Sequence, residues 1–99
     1  MRKGILEYLI LSIISQGEAY SSDILETLKK NKILVVEGTL YPLLSRLKKE
    51  GLISYYWIES KSGPPRKYYK LTTHGQELLT IMSSVWGDIE SAVKNIVKK

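Results

Sequence analysis

The 99 residues include one histidine, His74, and no cysteine, which leaves few groups able to act as nucleophile or proton shuttle. His74 falls at the expected start of a helix with no acid or serine set organised around it, the setting of a capping or surface residue rather than a general base. The sequence also has no Gly-rich phosphate loop, HExxH pair or calcium loop. No catalytic residue, metal ligand or cofactor is assigned, and the chain is expected not to be an enzyme. A different chemistry is concentrated further along. Gly38, Thr39, Tyr41, Pro42, Ser45, Arg46, Lys48 and Lys49 place hydroxyls and then bases at helical spacing, and Lys61, Arg66 and Lys67 follow in a turn-rich stretch. From Arg46 to Lys70 there are seven bases against two acids. Hydroxyls that can donate to base edges, beside cations that neutralise phosphates, are the residue types of nucleic-acid contact.

The charge distribution agrees with that reading. Residues 1–71 hold twelve bases and seven acids, whereas residues 72–99 hold three of each, so the net +5 sits wholly on the first part. The most apolar stretch, Ile5 to Ile14, is broken by Glu7 and Ser12. It falls short of the ~18 residues of a membrane span and lacks a small-residue cleavage site. Without cysteine the chain suits a reducing compartment, and a cytoplasmic location with no membrane partner is expected.

The elements that must hold these groups follow from periodicity. Ile5, Leu6, Leu9, Ile10, Ile13 and Ile14 mark one face of a helix from Lys3 to Ser15, with Tyr8 and Leu11 off that stripe and Gly17 closing it. Ser21 or Ser22 is expected to cap a second helix, with Ile24, Leu25 and Leu28 buried. Ile33 to Val36 reads as a short bridging strand. A third helix starts near Glu37 and Gly38, buries Leu40, Leu43, Leu44 and Leu47, and stops at Gly51, with Pro42 expected within its first turn. Leu52 to Glu59 reads as a strand, Ser60 to Pro65 as a turn, and Arg66 to Leu71 as the returning strand, with Lys61, Arg66 and Lys67 at or near the tip.

Thr73 to Gln76 fits a capping box for a last helix running to about Val97. Leu78, Met82, Val85, Ile89, Ala92 and Ile96 step at heptad spacing, with a second row at Leu79, Trp86 and Val93. Two apolar rows on one helix can pack on the chain itself and on a partner at once. The expected architecture is mostly α with a small β-hairpin: a winged helix-turn-helix over residues 1–71 and a C-terminal dimerisation helix over 72–99. Dimer contacts are expected from Met82, Val85, Ile89, Ala92 and Ile96. In such a fold the third helix enters the DNA major groove. DNA contacts are expected from Gly38, Thr39, Tyr41, Pro42, Ser45, Arg46 and Lys49, from Tyr20, Ser21 and Ser22 near the start of the second helix, and from Lys61, Arg66 and Lys67.

Several stretches resemble the PadR family of bacterial transcriptional regulators. They are Gly4 to Leu11, the Gly38-Thr39-Leu40-Tyr41-Pro42 segment within Glu37 to Leu44, Arg46-Leu47, Gly51-Leu52-Ile53, Gly63 to Tyr69 with Leu71-Thr72, and then Gly75 and Trp86. The resemblance runs in order from about residue 3 to 90. It implies a homodimeric repressor of double-stranded DNA whose last helix, with the first, makes the dimer. Some compact members bind planar aromatic or cationic molecules at the dimer centre, beside a tryptophan matching Trp86. Carried onto this chain, that lining is Tyr8, Ser12, Met82, Ser83, Trp86 and Glu90, although Ser83 stands where drug-binding members can have an aromatic residue, and interface packing is the competing role for Trp86. Two other functions remain open on the residues alone: a winged-helix adaptor that docks on a protein, and a small-molecule carrier without DNA activity.

Overall fold

The computed structural model describes residues 4–97, so Lys3, where the first helix was expected to begin, lies outside the described residues. Four helices and one hairpin follow in the order α1 (Ile5–Ser15), α2 (Ser21–Lys30), α3 (Glu37–Lys49), β1 (Ile53–Ser60), β2 (Gly63–Leu71) and α4 (Thr73–Ile96). This is a winged helix.

The core is formed where α1, α2, α3, the base of the hairpin and the first half of α4 meet. Ile10, Leu11, Ile24, Leu40, Leu44, Leu47, Ile53 and Met82 are its fully enclosed side chains. The leucine spacing of α3 therefore predicts its buried face, although Leu43 is only half-buried at the edge. The expected α1 stripe is rotated. Leu11 is fully buried and Ile5 is 48% exposed, because α1 is packed against by α2, β2 and α4 rather than along a single line.

Several boundaries move for local reasons. α2 is capped neither by Ser21 nor by Ser22; Tyr20 is the N-cap residue, and its backbone N–H donates to Asp23 Oδ2 at 3.0 Å. The chain leaves α2 through Lys32, whose φ of 67° is left-handed, with Lys32 N–H donating to the Lys29 carbonyl and Ile33 N–H to the Leu28 carbonyl. Ile33 to Val36 is not a bridging strand. The bridge to the hairpin is made instead by Ala19, which exchanges both backbone hydrogen bonds with Tyr69 at 3.1 and 2.8 Å. Val36 caps α3 by accepting from Thr39 and Leu40 N–H. Pro42 is then the sixth helical residue, beyond the first turn where it was expected. Pro42 cannot donate to the Gly38 carbonyl, and since both residues are exposed, water can take its place.

α3 ends at Gly51 (φ 79°), where Gly51 N–H reaches the Lys48 carbonyl and Leu52 N–H the Leu47 carbonyl. The hairpin is longer than its expected strands. It runs Ile53–Ser60 and Gly63–Leu71, leaving only Lys61 and Ser62 as the turn. Ile58 opposes Arg66 and Trp57 opposes Lys67, with a register shift between Ile58 and Ser60. Pro64 and Pro65, which have no N–H to give, lie at that irregularity, a place where a strand tolerates proline.

α4 is capped by Thr72, one residue before the expected Thr73, with its side chain accepting from Gly75 N–H at 2.9 Å. A Cβ on Gly75 would lie 2.0 Å from the Leu52 carbonyl oxygen. This absence of a side chain lets α4 start directly on the chain that leaves α3. Thr72 N–H also donates to that carbonyl at 3.1 Å. At ~1.5 Å per residue α4 is about 36 Å long, within a molecule whose largest dimension is 53 Å.

Candidate nucleic-acid interface and the outer face of the last helix

α3 turns its leucines inward, which leaves Thr39, Tyr41, Pro42, Ser45 and Lys49 exposed on its outer side. Across from it stands the hairpin. Between them, closed at one end by the start of α2, is an open concavity of about 460 Å³. It is lined by Tyr20, Ser21, Ser22, Tyr41, Ser45, Arg66 and Lys67, seven of the expected DNA-contact residues, together with Glu37, Trp57 and Tyr69. Tyr41 and Ser21 hydroxyls lie 3.2 Å apart, tying α3 to α2 within this wall.

The expected bases behave differently from one another. Lys61 is at the hairpin turn and exposed. Lys67 is not at the tip; it sits in β2 with its ammonium 4.4 Å from the Tyr55 ring centroid and 5.5 Å from that of Trp57. These rings hold the cation through its attraction to their faces while leaving it on the concave side. Lys48 of α3 also lies near that ring, 5.4 Å from the Tyr55 centroid. Arg66, expected at or near the tip, is folded back. Its guanidinium donates to Ser22 Oγ at 2.7 Å and stacks 3.8 Å from the Tyr20 ring centroid. Arg46 is likewise engaged, pairing with Glu7 of α1. Gly38, Thr39, Pro42, Lys49 and Lys61 are exposed but lie outside the concavity's lining.

The hairpin's other face carries an aromatic ladder. Tyr20 meets Tyr68 at 4.7 Å and Tyr68 meets Tyr56 edge-on at 5.6 Å. Tyr56 donates its hydroxyl to Glu18. That hydrogen bond to the carboxylate, aided by the nearby negative charge, pushes the Tyr56 phenol up to about 12. Burial pushes Tyr69 up as well. With the Ala19 bridge, this ladder ties the hairpin to the chain between α1 and α2.

A second region lies on α4. Ile81, Val85, Ile89, Val93 and Ile96 are exposed along its length, and Ala92 is exposed among them. Met82 departs from the expectation: at 2% exposure it belongs to the core of its own chain and is unavailable on the outer row. Near the start of α1 a shallow concavity of about 410 Å³ is lined by Ile5, Tyr8, Ser83, Trp86, Gly87, Ile89 and Glu90. Tyr8 and Trp86 stack there at 6.1 Å with 15° between their planes, and the Tyr8 hydroxyl donates to Ser83 Oγ at 3.3 Å. Of the six expected ligand-lining residues it unites four. Ser12 is turned to the Tyr8 carbonyl at 2.8 Å and belongs to a groove between α1 and α2; Met82 is enclosed.

His74 is exposed at the start of α4, 3.9 Å from Glu77. Among the described residues no cluster of His, Asp or Glu is arranged to hold a metal, and no helix is long and apolar enough to cross a membrane. Trp57, Glu37 and Tyr69 are the lining residues that sequence reasoning missed. The signal for Trp57 was its cross-strand place opposite Lys67; for Glu37 there was none beyond its position at the head of α3.

Residues 10–81 match the model of the transcriptional regulator PadR-like family. Solved structures similar over nearly the whole chain include three PadR-like regulators. A PadR-like transcription factor from Bacteroides fragilis is 51% identical, with 97% of this chain and 93% of the other covered and a TM-score of 0.83. A PadR-like transcriptional regulator from Bacillus cereus is 40% identical, covering 97% and 94%, with a TM-score of 0.85. A PadR family transcription regulator from Clostridium difficile is 30% identical, covering 95% and 99%, with a TM-score of 0.84.

Proposed function

Because the chain belongs to the PadR-like family of transcriptional regulators, we propose that it is a homodimeric repressor that occupies operator DNA and is released by a small effector. In this reading residues 1–71 bind DNA, residues 72–99 hold the dimer, and the protein works in the cytoplasm with duplex DNA as its macromolecular partner. The observation that carries it is the concavity that brings Tyr41 and Ser45 of α3 opposite Lys67 of the hairpin. α3 presents hydroxyls where base edges would lie, and the hairpin presents charge where phosphates would lie.

The exposed row Val85, Ile89, Ala92 and Ile96 supports a partner copy. A single chain leaves these side chains in water, and burying a large aliphatic side chain contributes roughly 1.5–3 kcal/mol. A two-fold pair of such helices would hold two copies of α3 at a fixed distance. Repression then needs nothing beyond occupancy of the operator.

A salt titration on a duplex selected from a random pool tests the DNA reading. Phosphate contact requires affinity to fall steeply as salt rises, and Tyr41→Ala is expected to abolish specific binding while helicity is retained. Salt-independent binding, or a Tyr41→Ala variant with unchanged affinity for the selected duplex, would remove α3 from the interface and favour docking on a protein instead.

A further inference from the structure

Trp57 has no role in the fold's core. It is 59% exposed on β1, yet it lines the concavity shared with Tyr41 and Ser45. Holding Lys67 is a task it shares with Tyr55, whose ring lies closer to that ammonium, at 4.4 against 5.5 Å, and it leaves most of the exposed indole unaccounted for. Tyr55 and Trp57 point to the same side of the strand and meet edge-on at 6.1 Å, which fixes the indole plane. The result is a braced, solvent-facing aromatic surface beside a cation.

The geometry points to Trp57 as a further DNA-contact residue, its indole seated against the deoxyribose of the strand that runs between α3 and the hairpin. The inference rests on the DNA reading given above. If α3 lies in the major groove and the hairpin reaches the adjacent minor groove, the sugar–phosphate strand separating those grooves has to cross the space between the two elements. That space is the concavity, with Tyr41 and Ser45 on one bank and Trp57 and Lys67 on the other. A deoxyribose offers an apolar C–H surface between charged phosphates. A flat indole next to an ammonium complements both parts of that repeat. Aromatic contact of this kind does not depend on base identity, so it adds affinity without selecting sequence.

The chain has two tryptophans, Trp57 and Trp86, so each can be observed alone. In Trp86→Phe, a duplex selected by the wild-type protein is expected to quench and blue-shift the remaining Trp57 emission; in Trp57→Phe the Trp86 emission should not be quenched by the same duplex. Trp57→Leu is expected to lose severalfold in affinity, less than on removing an aromatic on which a base stacks, with an unchanged salt slope because no charge is removed. Trp57→Phe should recover most of that loss. Unchanged Trp57 emission at saturating duplex together with wild-type affinity in Trp57→Leu overturns the inference. So does a Trp57→Leu variant whose salt slope flattens as if Lys67 had been removed, since Trp57 would then act only by holding that lysine. Failure of the wild-type protein to bind any duplex at low salt is a different result, which overturns the DNA reading and this inference with it.

Discussion

Arg66 and Lys67 are neighbours in sequence with the same charge, and the fold gives them different surroundings. Strand alternation sends them to opposite faces of the hairpin. Lys67 is propped by Tyr55 and Trp57, and Arg66, which also reaches the concavity, is latched to Ser22 and Tyr20 of the chain entering α2. The guanidinium suits a latch because it can donate in its plane and stack on a ring at once, which an ammonium cannot do. If Lys67 meets a phosphate, Lys67→Met lowers affinity on every duplex and flattens the salt slope by about one unit. Arg66→Lys keeps the charge but loses the stack on Tyr20. It is expected to weaken binding with the slope preserved, because the hairpin is then held less firmly against α2. Anisotropy titrations at several salt concentrations read both effects. An Arg66→Ala variant that flattens the slope as Lys67→Met does, with Arg66→Lys binding like wild type, would give Arg66 a phosphate instead of a latch. The sequence showed both residues as wing cations, with Arg66 expected to be the one entering a minor groove, and could not show what holds each of them, because their partners Ser22, Tyr20 and Tyr55 come from other elements.

The elements themselves were largely written in residue spacing. Leu40, Leu44 and Leu47 predicted the buried face of α3, and the β-branched and aromatic run after Leu52 predicted the hairpin, because each pattern is local and repeats several times. What escaped was non-local or differed by a single residue. The Ala19 bridge depends on Tyr69, fifty residues away. Thr72 and Thr73 are equally good caps by type, and the hydrogen bond to Gly75 N–H selects Thr72. Gly63 to Pro65 looked like a turn by composition but continues β2. Gly75 shows how firmly such a boundary is fixed. An added methyl would stand 2.0 Å from the Leu52 carbonyl oxygen and 2.9 Å from the Leu71 side chain. The obstructing oxygen belongs to backbone, which cannot rotate aside as a side chain can. Gly75→Ala is therefore expected to destabilise the chain by about 1–3 kcal/mol, in the range of overpacked cores and despite alanine's better helix propensity. Denaturant unfolding checks this, and an alanine variant at least as stable as wild type would mean that α4 can slide off Leu52 without loss.

At the scale of the molecule, the later part of α4 is exposed, and its outer row is the surface that the proposed dimer would bury. Ile89 is 44% exposed in the single chain, so Ile89→Asp should leave the protomer folded while placing an unpaired charge in the dimer contact, at a cost of several kcal/mol of association. Sedimentation is expected to show a folded monomer that no longer binds the operator, since two copies of α3 must be held about 34 Å apart to meet both half-sites. A wild-type monomer at micromolar concentration would defeat the dimer. The proposed effector site depends on the same assembly. In one chain the hollow beside Trp86 is shallow and open, with Tyr8 stacked on the indole and Glu90 on the rim, 3.9 Å from Lys94. A two-fold axis near Ile89 would bring a second such hollow against the first, turning two open surfaces into one enclosed space with aromatic walls and a carboxylate from each chain. A planar cation fits that chemistry, gaining ~0.5–1.5 kcal/mol per ring pair beyond burial. To induce, it must bind the DNA-incompetent arrangement more tightly than the DNA-bound one, because equal affinity shifts nothing. A planar cationic dye is thus expected to quench tryptophan emission, to do so in Trp57→Ala but barely in Trp86→Ala, and to weaken operator binding by the wild type. Quenching that survives in Trp86→Ala would leave Trp86 as a residue that packs α4 on Tyr8, and would place any effector elsewhere.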